Sequence, residues 1–89
     1  MIARRVRVTG RVQGVFFRAW PRDEARRLGV AGWIRNASDG SVEAHLEGGE
    51  GAVADMLGRL HGGPPGAQVS DVEIANAEPE SFDAFEVRH

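Results

Sequence analysis

The apolar positions of this 89-residue chain change period in a fixed order, and that order constrains the fold more than any other feature. In "IARRVRVTG" Ile2, Val6 and Val8 alternate with Arg5 and Arg7, the period of a strand, predicted over residues 2–10. Residues 19–28, "AWPRDEARRL", suit a helix. Pro21 stands in its first turn, where no intrahelical N–H bond is needed, Asp23 stands four before Arg27, and Gly29 ends it. Trp20 opposes this start, because a residue before proline is pushed away from helical dihedrals. "VAGWIRN", "ASDG" and "SVEAHLE" then read as two strands joined by a hairpin, with Asp39 and Gly40 supplying positive φ and Val42, Ala44 and Leu46 facing the core.

In "GEGAVADMLGRLHGG" Val53, Met56, Leu57 and Leu60 recur at helical spacing before Gly62-Gly63-Pro64-Pro65 stops the helix. "AQVSDVEIANA" is a strand in which Val69 is out of phase with Val72 and Ile74, which predicts a bulge, and "FDAFEV" closes the chain as a short strand. The order predicts one α+β domain over residues 1–89: a ferredoxin-like βαββαβ sandwich with a short extra C-terminal strand, both helices on one face of an antiparallel sheet. In that topology the first two strands run parallel with the third between them. Arg18 and Asn36 should therefore be neighbours at one edge.

The chain has no Cys, Tyr or Lys, which excludes a cysteinyl-phosphate, a Schiff base, a P-loop lysine, zinc-thiolate sites and disulfides. Residues 1–28 hold eight Arg against Asp23 and Glu24, while residues 29–89 hold three Arg against eleven acids, so the first third attracts anions. No apolar run is long enough to span a membrane, no secretory signal is visible, and a cytoplasmic location is expected. At the edge shared by Arg18 and Asn36, backbone N–H groups from Gln13 through Gly14, Val15, Phe16 and Phe17 to Arg18 can converge on a phosphate at a helix N-terminus. The Arg18 guanidinium would hold its oxygens bidentately. His45 is expected on the solvent side of its strand, with His61 and His89 also at the surface, a spacing that argues against a metal site. Phe16, Phe17, Trp33, Phe85 and Val87 are read as core.

"GRVQGVFFR" resembles the first signature of the acylphosphatases, and "GWIRNASDGSVE" the second, with Gly32, Trp33, Asn36, Gly40 and Val42 at matching spacing. "GGPPGAQVSDVE" is similar to the family's link into its fourth strand, so the resemblance runs nearly the whole chain. It implies hydrolysis of a small-molecule acyl phosphate to a carboxylate and inorganic phosphate, with Arg18 binding the phosphate and Asn36 orienting the attacking water. Neither a cofactor nor a metal is expected. A monomer that binds no nucleic acid and no membrane is expected. The competing reading is an RNA-binding module on the same fold, using aromatics on its sheet face; the acidic later strands oppose it.

Overall fold

The computed structural model describes residues 1–14 and 19–88. Their order is β1 (Ile2–Arg11), α1 (Trp20–Leu28), β2 (Ala31–Asn36), β3 (Val42–Gly48), α2 (Glu50–Gly62), β4 (Gln68–Ala77) and β5 (Phe85–Arg88). The strands form one sheet in the order β4-β1-β3-β2-β5. β3 is antiparallel to both β1 and β2, so those two run parallel, as the predicted topology requires. The sheet is mixed where a purely antiparallel one was expected. β5 returns along the outer edge of β2 and pairs with it in parallel, Gly32 opposite Phe85 and Ile34 opposite Val87.

Alternation divides the residues between two faces. Val6, Val8, Ile34, Val42, Ala44, Leu46 and Phe85 join Ala25 of α1 and Val53, Met56 and Leu60 of α2 in one core. Val87, Leu28 and Leu57 are partly buried against it. α1 starts at Trp20 despite the following proline, with the Asp23 N–H bonded to the Ala19 carbonyl at 2.9 Å and Pro21 buried in the first turn. Gly29 caps it at φ 75°. Arg27 pairs with Glu24, three residues before it, and not with Asp23. The bulge expected near Val69 is present: Thr9 opposes Asp71 while Gly10 opposes Val69, leaving Ser70 as the extra residue of β4. Gly10 is required there, since a Cβ would lie 2.1 Å from the Gln68 carbonyl oxygen.

The opposite face corrects the reading of His45. Its side chain is fully buried, 0% exposed, and so is that of Glu47. Segment 78–84, which joins the two edge strands β4 and β5, covers them: the Glu47 carboxylate accepts the N–H groups of Glu80 at 2.7 Å and Phe82 at 2.6 Å, and meets His45 Nε2 at 2.9 Å. Phe82 tilts against the His45 ring from this segment, and Trp33 stacks on the ring from β2. Trp33 is thus buried as expected, but on the face away from the helices, under the guanidinium groups of Arg5, Arg35 and Arg88. Periodicity placed residue 45 on the correct side of the strand and missed the segment lying over it. His61 is exposed, as expected, and His89 lies outside the described residues.

Burial alone would raise the Glu47 pKa, but the Glu80, His45 and Phe82 donors outweigh it and hold it below the ordinary glutamate value. A depressed carboxylate pKa contributes stability that is present above the unfolded-state value and lost as pH falls through the folded one. Urea midpoints should therefore fall with acidification through and below the ordinary glutamate range, and the fall should be shallower in Glu47→Gln. Glu47→Ala should lower stability by about 2 kcal/mol at neutral pH, because two backbone N–H groups lose their acceptor.

Candidate active site

Register sets the edge predicted to carry the site. Val42 of β3 has Val8 of β1 on one side and Asn36 of β2 on the other, so the chain leaving β1 emerges level with Asn36. Asn36 is exposed and is the last residue of β2. Beyond it the connection to β3 is closed by the Ala37 N–H on the Ser41 carbonyl at 2.9 Å and the Gly40 N–H on the Ala37 carbonyl at 3.3 Å. Gly40 has the expected positive φ, 92°; Asp39 does not, and acts through its side chain. Asp39 Oδ1 accepts the Ser41 N–H at 2.9 Å and the Ser41 hydroxyl, while Oδ2 accepts Arg7 Nη1 at 2.6 Å. The Ser41 side-chain bond, its backbone bond and Arg7 lower the Asp39 pKa against a smaller opposing effect of burial. The turn is thus tied to β1.

Gln13 makes the second connection. Its Nε2 donates to the Ala37 carbonyl at 2.8 Å and to the Ser41 carbonyl at 3.1 Å. The next residue, Gly14, has φ 89°, a region that residues with a Cβ rarely adopt. Of the six residues assigned to the phosphate-binding loop, Gln13 and Gly14 are seen at this edge, whereas Val15, Phe16, Phe17 and Arg18 lie outside the described residues. The expected proximity of Arg18 to Asn36, and the core assignment of Phe16 and Phe17, lie outside them too. Beside Asn36 a groove of about 470 Å³ is lined by Arg35, Asn36, Ala37, Ser38, Glu43 and Arg88. Glu43 holds Arg35 at 3.2 Å and Arg7 at 3.3 Å, which leaves the groove polar and partly charge-balanced. Among the described residues no three His, Asp or Glu side chains come together as a metal site.

The family model for acylphosphatases matches residues 4–87. The chain belongs to the acylphosphatase family. These enzymes hydrolyse acyl phosphates, and the chain is an enzyme of this class. The acylphosphatase of Rhizobium etli is 57% identical over 78 residues, covering 88% of this chain and 83% of its own. That of Haloquadratum walsbyi is 53% identical over 81 residues, covering 91% and 87%. The crystal structure of the Bacillus subtilis acylphosphatase superposes with a TM-score of 0.93 over 100% of both chains at 34% identity.

The Asp39–Ser41 brace and the Gln13 clamp were not assigned from the sequence. "DGS" carried a signal for the first, since an Asp commonly bonds the backbone two residues on. Nothing local marks the second, because its partners are 24 and 28 residues away. Among the described residues a Cβ at position 14 would meet nothing within 4 Å, and the constraint they show on Gly14 is its φ. Gly14→Ala should therefore cost about 1–2 kcal/mol of stability from backbone strain alone, measured as a shift in urea midpoint.

Proposed function

We propose that the residues at this edge hydrolyse an acyl phosphate by positioning and charge stabilisation. Arg18 and the backbone N–H groups of residues 13–18 hold the phosphoryl oxygens, and Asn36 orients the attacking water. The observation that carries this reading is the clamp from Gln13 to the turn after Asn36, which fastens the start of the loop beside the asparagine. α1 follows the loop directly, and the positive end of its dipole favours an anion there.

The chemistry needs little equipment. The water oxygen attacks phosphorus as the bond to the acyl oxygen breaks, and the electron pair of that bond leaves with the carboxylate. A carboxylate whose conjugate acid has a pKa of about 4 leaves without a general acid. The fixed guanidinium and N–H donors match the charge on the equatorial phosphoryl oxygens, and an amide holds the water in line. The proton lost by the water passes to a phosphoryl oxygen of the substrate. The product is inorganic phosphate. Sheet-face RNA recognition finds no support in Trp33, which is buried beneath three guanidinium groups.

Arg18 contacts the phosphoryl group in ground and transition states alike. Arg18→Gln should lose both turnover and inhibition by inorganic phosphate, and Lys should not restore them, because a point charge cannot reproduce the planar fork. Asn36→Ala should lose about 10²–10³ in kcat, the scale of one transition-state donor, while phosphate still inhibits. Near-normal turnover in Arg18→Gln would refute the assignment.

Neither group titrates near neutrality, so kcat for benzoyl phosphate, corrected for spontaneous hydrolysis, should be nearly flat from mildly acid to mildly alkaline pH apart from the substrate phosphate's own second ionisation. His61→Gln should leave that profile unchanged. A limb with an apparent pKa near 6.5 that disappears in His61→Gln or His45→Gln would replace this mechanism with a histidine base.

A further inference from the structure

We infer that the Gln13 side chain is a positioning residue for the hydrolysis: by clamping the Ala37 and Ser41 carbonyls it sets where Asn36 stands relative to the chain at Gln13 and Gly14. The inference rests on the assignment of Asn36 to the attacking water.

A single nitrogen makes both bonds, at 2.8 and 3.1 Å, to carbonyls on opposite arms of one turn. Those arms are already joined to each other through the Ala37 N–H and the Ser41 carbonyl. The two N–H groups of one carboxamide therefore bridge a turn that is closed without them. What the bridge adds is a link between two parts of the site. Ala37 directly follows Asn36, and Gln13 directly precedes Gly14, where the chain takes φ 89°. The Arg7–Asp39 pair ties the same turn to β1 from farther back along the strand, so the clamp is not needed to attach the hairpin. Its effect is on where the hairpin end stands relative to the loop.

Glutamine meets the requirement where its two nearest relatives do not. Glutamate has the same length but offers acceptors to two acceptors, and asparagine keeps the donors but is one methylene short. Gln13 is exposed and its bonds are neutral, so their loss should change stability little. In-line attack, however, is sensitive to displacement on the scale of an ångström, which can cost about 10²-fold in rate.

The test measures kcat and KM for benzoyl phosphate, the inhibition constant of inorganic phosphate and the thermal midpoint in Gln13→Ala, Gln13→Glu and Gln13→Asn. Gln13→Ala is also combined with Asn36→Ala. Every variant keeps the backbone N–H of residue 13, so phosphate inhibition serves as an internal control. A folded Gln13→Ala should lose about 10- to 10²-fold in kcat with phosphate inhibition unchanged. Gln13→Glu and Gln13→Asn should be no better. The double variant should be no slower than Asn36→Ala, because a group that acts through Asn36 has nothing left to act on. Multiplied losses in the double variant, or weakened phosphate inhibition with kcat intact, would overturn the inference and leave the role of Asn36 standing. Wild-type turnover in Asn36→Ala would remove both. If Gln13→Ala does not fold, the same comparison is made with Gln13→Glu.

Discussion

Everything at the site depends on β3 being paired on both edges. β3 lies between β1 and β2 and is antiparallel to each, so their C-terminal ends are brought to one edge. No interaction between the loop and the turn is needed to produce that alignment. Its cause is the alternation of β3 itself: Val42, Ala44 and Leu46 are buried against the helices, while His45 and Glu47 are buried on the other face. A one-residue slip would exchange those sets and put a carboxylate into the apolar core.

The two faces of the strand are held by different physics. On the helix side, contact is apolar and non-directional, shared among residues of both helices and all five strands. On the other side, one buried carboxylate collects two backbone N–H groups and an imidazole and fastens segment 78–84. Among the described residues His45 Nδ1 has no hydrogen-bond partner, and Glu80 Oε2 lies 3.8 Å from it. This polar cluster lies on the opposite face of the sheet from Asn36, with His45 level with Trp33 and Glu47 level with Ala31 at the far end of β2. It contributes to the framework on which the site is built, and the proposed reaction uses none of its groups.

At the site edge a similar economy holds. The Arg7–Asp39–Ser41 chain and the Gln13 clamp all serve the backbone around residues 37–41, leaving the Asn36 side chain at the exposed end of β2. Exposed ion pairs such as Arg7–Asp39 add little to global stability. Their value is geometric, since hydrolysis of a compound with a good leaving group is limited by alignment more than by acid–base power.

Much of this was legible in the sequence, because it is carried by local periodicity and by turn chemistry. Alternation in β1 and β3, the helical spacing in α2, the glycine after α1, the bulge at Ser70 and the βαββαβ order each follow from neighbours within a few residues. The two signatures also led to the family. Long-range contacts were decided only in the tertiary structure. Alternation shows that His45 faces away from Val42 and Leu46, but whether that side meets water depends on where segment 78–84 lies, more than thirty residues later. The parallel pairing of β5 with β2 likewise depends on the route of that segment. Gln13 reads as one more polar residue in a loop until the fold brings Ala37 and Ser41 within 3.1 Å of its amide nitrogen. Hydrogen-bond partners so distant in the chain leave no period in it, and the turn acquires them only when β3 has paired on both sides.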